Sequence, residues 1–216
     1  GQAIDLQLTK RTVTIDPVSD AFGTRVLPLA GTTGVGYLNL RSYISTADPQ
    51  LRTAFQSFRE QDVRDFIIDL RYNGGGLVST AELIDNLLGG DRTAADTQYS
   101  IVYSANKSGQ NSTVRFQPQA QSVRPVRIAF LTTDATASAS EININAMSAW
   151  AEVAIVGSDT YGKPVGQKKV VGCREPSRGL LTTRCVLAAN VAQVRRAPGL
   201  IESRPRGDSV TENVMN

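Results

Sequence analysis

The chain has 216 residues, of which 41% are hydrophobic and 20% are charged, and its net charge is +3. This composition is ordinary for one large globular domain with a substantial core. The basic residues are spread along the chain, which argues against a nucleic-acid-binding patch. No apolar run approaches the roughly 18 residues that a membrane-spanning helix requires. The chain contains no histidine, which excludes Ser-His-Asp triads, Cys-His dyads and histidine-based metal sites.

The first half of the chain predicts short strands and two helices. A helix is predicted to begin at Asp48-Pro49, with Asp48 as its N-cap. A second helix is predicted over about 80–88, opened by Ser79 and Glu82 as a capping box and ended by two glycines. Runs of β-branched and apolar residues predict strands at 12–15, 25–29, 34–40 and 63–70.

The second half of the chain predicts further strands around one more helix, which begins near Ser138 and ends near Trp150. Strand-type segments are predicted in a hairpin at 97–118 and then at 126–131, 153–156 and 167–192. Alternating strands and helices describe repeated β/α units, with additional strands toward both ends of the chain. We therefore predict a single α/β domain over 1–216, with a short N-terminal β region over about 1–33, a core over about 34–195 and an irregular tail over about 196–216.

The two cysteines, Cys173 and Cys185, lie twelve positions apart and cannot build a zinc site by themselves. One interpretation is a pair of buried free thiols. The other is a disulfide that closes a hairpin in an oxidising compartment. Because Pro176 and Gly179 favour a turn between two strands, we favour the disulfide.

Two segments carry backbone or hydroxyl groups that could stabilise or attack a substrate. The glycines at 74–76 follow a predicted buried strand, where they allow a ligand to approach the backbone, although a plain tight turn is the simpler interpretation. The segment Ser138-Ala139-Ser140-Glu141 begins a predicted helix. A capping box is its simpler interpretation, but a hydroxyl at this place is also well situated as a nucleophile, because the helix N-terminus can stabilise an oxyanion.

A third segment, 161–167, contains Lys163 as its only charged residue. The simpler interpretation is a loop lysine in water. A lysine amine that is kept neutral by burial can instead take the proton of a serine.

Together the three segments resemble the signature of the S41 peptidases, the carboxy-terminal processing or tail-specific proteases. The resemblance covers roughly residues 10–195 and lies in DLRYNGGG over 69–76, SASE over 138–141 and the GK…Q loop over 162–167. In that family the first serine of SASE is the nucleophile, and a lysine twenty-five positions later is the general base. Lys163 stands twenty-five positions after Ser138. Gln167 stands four positions after Lys163, where the family has a glutamine that orients the lysine.

The resemblance implies a ClpP/crotonase-like core and a serine endopeptidase with a Ser138–Lys163 dyad. It also implies an oxyanion hole made by the N–H groups of Ala139 and Gly75, with Ser140 as the rival nucleophile. The expected substrates are unfolded or C-terminally presented polypeptides, and neither a metal nor a cofactor is expected. Bacterial members act in the periplasm or are otherwise exported, which agrees with the disulfide between Cys173 and Cys185.

The sequence departs from the family at two positions of the lysine loop, where Pro164 replaces a glycine and Gly166 replaces a β-branched residue. Family members often carry a PDZ domain before the core, and the residues before Gly34 are too few to hold one, so PDZ or other domains are expected to be missing from this chain. Two alternatives remain open. One is a catalytically silent crotonase-like module that binds a peptide or ligand, and the other is an acyl-CoA enzyme of the wider fold.

Overall fold

The computed structural model describes residues 9, 10, 13, 15–19, 21–103, 105–163, 165, 166 and 192–195. These residues form nine strands, three α-helices and a short 3-10 helix over Ala105–Gln110. The helices are α1 (Ala47–Glu60), α2 (Val78–Leu88) and α3 (Ala139–Met147). The strands are β1 (Thr24–Leu27), β2 (Val35–Asn39), β3 (Asp65–Asp69), β4 (Thr97–Val102), β5 (Ser112–Arg115), β6 (Arg127–Thr132), β7 (Glu152–Gly157), β8 (Val165–Gly166) and β9 (Ala192–Arg195).

The main sheet has the strand order β1-β2-β3-β6-β7. Strands β2, β3, β6 and β7 run parallel, and β1 pairs antiparallel with β2. Parallel neighbours need crossover connections, and each crossover here contains a helix: α1 leads to β3, α2 lies between β3 and β6, and α3 leads to β7. The carboxyl ends of β3, β6 and β7 therefore meet at one edge of the sheet.

A second, antiparallel sheet has the order β5-β4-β9-β8. Trp150 contacts this sheet, because its indole N–H donates to the Thr97 carbonyl of β4 at 3.2 Å. Its ring also meets Phe116, which follows β5, edge-on with centroids 5.9 Å apart. The Arg92 guanidinium lies over the same indole at 4.8 Å from its centroid, a geometry in which the cation is attracted to the ring face.

The hydrophobic core lies between the helices and the main sheet. Phe55 and Phe58 of α1 pack against Phe66 of β3, with ring centroids 6.3 Å and 5.6 Å from the Phe66 ring. Each of these side chains is at most 2% exposed, and burying a phenylalanine stabilises a fold by roughly 1.5–3 kcal/mol. The same core includes Leu38, Leu51, Ile68, Leu70, Ile84, Leu87, Ile128 and Phe130.

A buried polar cluster joins α2 to α3. The Asn143 side-chain amide donates to Asp85 Oδ1 at 2.7 Å and to the Ala81 carbonyl at 2.8 Å, and it accepts from the Tyr43 hydroxyl at 2.7 Å. Asp85 Oδ2 has no hydrogen-bond partner among the described residues. Burial raises the pKa of the Asp85 carboxyl well above its ordinary value, against the opposing effect of the Asn143 hydrogen bond.

The order of strands and helices agrees with the sequence prediction over most of the described residues, and Gly89 follows the last residue of α2 as expected. The N-caps of the first two helices were predicted wrongly. α1 begins after Thr46, so Asp48 lies in its first turn and accepts a hydrogen bond from Thr80 at 2.9 Å. α2 begins after Leu77, because the Leu77 N–H is held by the Tyr43 carbonyl at 2.7 Å, and Ser79 is therefore inside the helix.

Three other predictions differ from the structure or lie outside the described residues. The positions 13 and 15 of the strand predicted at 12–15 are described and are not in a strand. Helix α3 ends three residues before Trp150. The segment 167–191, with Gln167, Cys173 and Cys185, and the tail over 196–216 lie outside the described residues. None of the helices in the described part is long and apolar enough to cross a membrane.

Candidate active site

The candidate site is built from three loops that follow neighbouring parallel strands. The glycine loop over 70–77 follows β3, the turn over 133–138 follows β6, and the loop over 158–163 follows β7. Because β6 lies between β3 and β7 in the sheet, Ser138 is flanked by the glycine loop on one side and the Lys163 loop on the other. The crevice at the carboxyl ends of parallel strands is the usual ligand site of open α/β sheets.

Ser138 has a strained backbone directly before the first residue of α3. Its φ is 58° and its ψ is −114°, a region that residues other than glycine rarely occupy. Such strain persists only where surrounding contacts enforce it, and it is concentrated at functional sites. Ser138 is half-buried, whereas Ser140 is fully buried and donates its hydroxyl to the Asn73 carbonyl at 3.0 Å.

Gly75 makes the closest approach of the glycine loop to Ser138. A Cβ atom added at Gly75 would lie 2.8 Å from the Ala139 nitrogen and 2.9 Å from the Ser138 Cβ. The φ of Gly75 is +93°. Only glycine fits this conformation and this space. The Ala139 nitrogen lies at this point of closest approach, and its N–H has no hydrogen-bond acceptor among the described residues.

Asn73 fixes the shape of the glycine loop. Its side chain is fully buried, donates to the Leu40 carbonyl at 2.8 Å and accepts from the Gly75 N–H at 2.9 Å. Its backbone carbonyl accepts from the Ala137 N–H at 3.1 Å. The Gly75 N–H, predicted as an oxyanion donor, thus already has an acceptor in this structure. The role of Asn73 was not foreseen from the sequence, although an asparagine directly before three glycines is a signal for such a turn.

Asp69 and Arg71 support the same loop from the end of β3. The Arg71 guanidinium contacts both oxygens of the Asp69 carboxylate, at 2.9 Å and 2.6 Å, and the Tyr37 hydroxyl donates to Asp69 at 2.8 Å. Burial alone would raise the pKa of Asp69, but the hydrogen bonds from Arg71 and Tyr37 outweigh it, and the pKa lies below its ordinary value. The DLR part of the motif therefore stabilises the loop.

Glu141 connects the first turn of α3 to the loop over 158–163. Its Oε2 accepts from the Ser138 N–H at 2.8 Å and from the Lys163 N–H at 2.9 Å. Its Oε1 accepts from the Thr160 hydroxyl and from the Gly162 N–H, both at 2.7 Å. The carboxylate is only 8% exposed, and all four partners are donors, which is the pattern that an ionised carboxylate accepts.

The sequence predicted Glu141 only as part of a capping box with Ser138. That box is present, and the Glu141 N–H also donates to the Ser138 carbonyl at 2.9 Å. The amide of Glu141 therefore has a backbone acceptor, and the Ser138 hydroxyl is not required to satisfy it. Contacts between Glu141 and the loop over 160–163 could not be foreseen, because they depend on the order of the strands.

The backbone of Lys163 is held in place by Glu141, and its side chain is partly exposed. The backbone nitrogens of Ser138 and Lys163 lie within 2.8 Å and 2.9 Å of one oxygen, so the two residues are close neighbours. The Lys163 amine makes no hydrogen bond with Ser138 in this structure. The described residues contain no group of three or more acidic or thiol side chains placed to hold a metal ion.

A strained serine between a buried strand and a helix, facing a glycine loop, is an arrangement that serine hydrolases use. The chain belongs to Peptidase family S41, whose model matches residues 34–183. It is therefore a member of a family of serine proteases.

Proteins similar to this chain include carboxyl-terminal processing peptidases from plastids and bacteria. A chloroplastic C-terminal processing peptidase of Tetradesmus obliquus is 30% identical over 174 residues, which cover 76% of this chain and 35% of that protein. The carboxyl-terminal-processing peptidase 3 of Arabidopsis thaliana is 29% identical, covering 74% of this chain and 29% of that protein. The chain thus spans about a third of the length of the curated relatives it matches.

Solved structures give the same assignment. An S41-type protein from Bacteroides fragilis superposes with a TM-score of 0.70 at 27% identity, covering 86% of this chain and 48% of that one. The photosystem II D1 C-terminal processing protease superposes with a TM-score of 0.59 at 25% identity, covering 88% of this chain and 46% of that one. The mixed α/β architecture of this chain is therefore shared with S41 proteases.

Proposed function

We propose that this chain is the catalytic part of a serine endopeptidase that cleaves unfolded or C-terminally presented polypeptides with a Ser138–Lys163 dyad. The observation that carries the proposal is the Glu141 carboxylate, which binds the backbone N–H groups of Ser138 and Lys163 with the same oxygen. This shared acceptor holds the base-bearing loop beside the nucleophile.

The proposed reaction is acyl transfer in two stages. The neutral amine of Lys163 takes the proton of Ser138 as the Ser138 oxygen attacks a peptide carbonyl. The amine then returns the proton to the leaving nitrogen, the peptide bond breaks, and an acyl-enzyme ester remains. A water molecule, deprotonated by the same amine, hydrolyses the ester and restores the hydroxyl. We assign to Gln167, which lies outside the described residues, the role of orienting Lys163.

The oxyanion is proposed to form between the helix N-terminus and the glycine loop. The Ala139 N–H is free to donate, and the positive end of α3 stabilises the developing charge. The Gly75 N–H, which donates to Asn73 Oδ1 at 2.9 Å, contributes as a three-centre donor shared between Asn73 and the oxyanion, an arrangement that backbone N–H groups adopt elsewhere.

Ser138 is favoured over Ser140 as the nucleophile by burial. Ser140 is 0% exposed and already donates to Asn73, so it has no face from which a substrate carbonyl could be reached. Ser138 is half-buried and lies next to the free Ala139 N–H.

Substrate class and location complete the proposal. A half-buried nucleophile can be reached only by an extended backbone, which favours unfolded chains or free chain ends. Relatives are named for carboxyl-terminal processing, which agrees with such substrates. We also propose that the core is of the ClpP/crotonase-like type, and that the protein is exported, for example to a bacterial periplasm, where Cys173 and Cys185 would be joined.

Single substitutions test the dyad. Ser138→Ala and Lys163→Ala are each expected to abolish cleavage of an unfolded polypeptide, and the double variant should be no worse than either, because residues that act as a unit are not additive. Ser140→Ala is the matched control and should remain active, provided that circular dichroism shows an unchanged fold. Wild-type turnover in Ser138→Ala would refute the assignment.

A further inference from the structure

Two tyrosine rings stand exposed beside the candidate site. Tyr72 is 77% exposed and Tyr161 is 70% exposed. Neither ring makes a hydrogen bond or ring contact with any residue in the described ranges. Tyrosine side chains are enriched at binding surfaces because they offer a large contact area at low entropic cost.

One turn holds the backbones of both tyrosines. The Tyr72 N–H donates to the Thr133 hydroxyl at 3.0 Å, and the Tyr161 N–H donates to the Thr136 carbonyl at 2.9 Å. Thr133 and Thr136 are in turn hydrogen-bonded to each other, at 2.9 Å and 3.0 Å. This turn runs directly into Ser138, so the positions of both tyrosines are fixed relative to the nucleophile.

The strand order places the tyrosines on opposite sides of Ser138. Tyr72 follows β3, Tyr161 lies in the loop after β7, and β6, which leads to Ser138, is between them. Tyr72 also has a φ of 63°, an uncommon value for a residue that is not glycine, asparagine or aspartate. Because the Tyr72 side chain is 77% exposed, packing does little to offset this strain.

We propose that Tyr72 and Tyr161 determine specificity by contacting apolar side chains of an extended polypeptide, one on each side of the cleaved bond. The inference rests on the proposed peptidase function. Neighbouring strands are about 4.8 Å apart and an extended chain advances about 3.3 Å per residue. Each tyrosine is therefore placed to meet a substrate residue one or two positions from the scissile bond. Leucine, methionine and phenylalanine are the side chains that such rings favour.

Hydrolysis of matched peptides tests the proposal. The cleaved bond is first mapped by mass spectrometry in an unfolded protein. Two peptides are then made that differ only in carrying leucine or serine at the two residues on each side of that bond. In Tyr72→Ser and Tyr161→Ser, kcat/KM for the leucine peptide should fall by about tenfold, mainly through KM, with little change for the serine peptide. Tyr→Phe variants should keep the preference.

Phe22→Ser is the matched control, because Phe22 is 66% exposed and lies two residues before β1, at the far edge of the sheet. If both tyrosine variants keep the wild-type ratio of leucine to serine peptide cleavage, the specificity role is wrong while the peptidase function stands. If the wild type cleaves no bond in the unfolded protein, the peptidase function has failed. Fluorescence anisotropy with Ser138→Ala protein and an unstructured leucine-rich peptide then decides the inference. Weaker binding of the leucine peptide on loss of the tyrosines supports it, and unchanged binding overturns it.

Discussion

Glu141→Gln should loosen the contact between Ser138 and the loop that carries Lys163, while leaving the core folded. The carboxylate accepts four hydrogen bonds, and glutamine retains only one acceptor oxygen. The least damaging arrangement puts the new amide nitrogen in place of Oε1. There the Thr160 hydroxyl can turn to accept from it, and only the Gly162 N–H loses its partner.

The expected loss of stability follows from the one hydrogen bond, donated by the Gly162 N–H, that glutamine cannot accept. A hydrogen bond to a charged group contributes about 1.5–3 kcal/mol, so Glu141→Gln should lower the free energy of unfolding by roughly 2–3 kcal/mol. The remaining hydrogen bonds also lose their charge assistance. Because misplacement of a catalytic group by about 1 Å can reduce a rate by about a hundredfold, kcat should fall by a similar factor.

Urea denaturation and hydrolysis of an unfolded polypeptide measure the two effects. Glu152→Gln is the control, because Glu152 is exposed on β7 and should change neither quantity. Wild-type stability together with wild-type kcat in Glu141→Gln would refute the argument that this carboxylate holds Lys163 beside Ser138.

Asp85→Asn should raise the free energy of unfolding at pH 7 and flatten its dependence on pH above the ordinary pKa of a carboxyl group. The pKa of Asp85 is raised in the folded state. Above the pKa of this carboxyl in the unfolded chain, the wild type therefore loses up to about 1.4 kcal/mol of unfolding free energy per pH unit, as long as the folded state keeps the proton. If denaturant titrations at several pH values give the same change of unfolding free energy with pH for both proteins, the prediction is contradicted. Gly157→Ala should be strongly destabilising, because the φ of Gly157 is +124° and the added Cβ would clash with the Thr132 carbonyl oxygen. Gly31→Ala should cost only the backbone strain, because the φ of Gly31 is +78° and the added Cβ would have no atom within 4 Å. Thermal melts compare the pair, and similar melting temperatures would count against the steric argument. Cys173 and Cys185 should be found joined, and thiol titration of the denatured, unreduced protein that detects two free thiols would rule the disulfide out.

Sequence patterns predicted the parts of the fold that depend on local properties. β3 and β6 were predicted correctly because runs such as Phe66 to Ile68 combine β-branched and apolar residues. The N-caps failed where a distant group decides the helix start, as the Tyr43 carbonyl does for Leu77. Contacts of Glu141 with the loop after β7 follow from the strand order, which no local pattern encodes.

For the candidate site, too, the sequence predicted some features and only the structure revealed others. The spacing of Ser138 and Lys163 pointed to both residues through the family resemblance. Burial of Ser140 and occupation of the Gly75 N–H by Asn73 could be seen only in three dimensions, because both depend on how the glycine loop packs against the first turn of α3.

The position of β7 has a consequence for how the protein loses activity. This strand is the last in the described main sheet, and Ile155 and Val156 are 55% and 51% exposed. Segments with little buried apolar surface open locally at a lower free energy than the whole domain. Amide hydrogen exchange should therefore be faster in β7 than in β3. If Lys163 is the base, as proposed, mild denaturant should abolish cleavage reversibly while the tryptophan and helix signals are still native, because release of β7 carries Lys163 away from a core that remains folded.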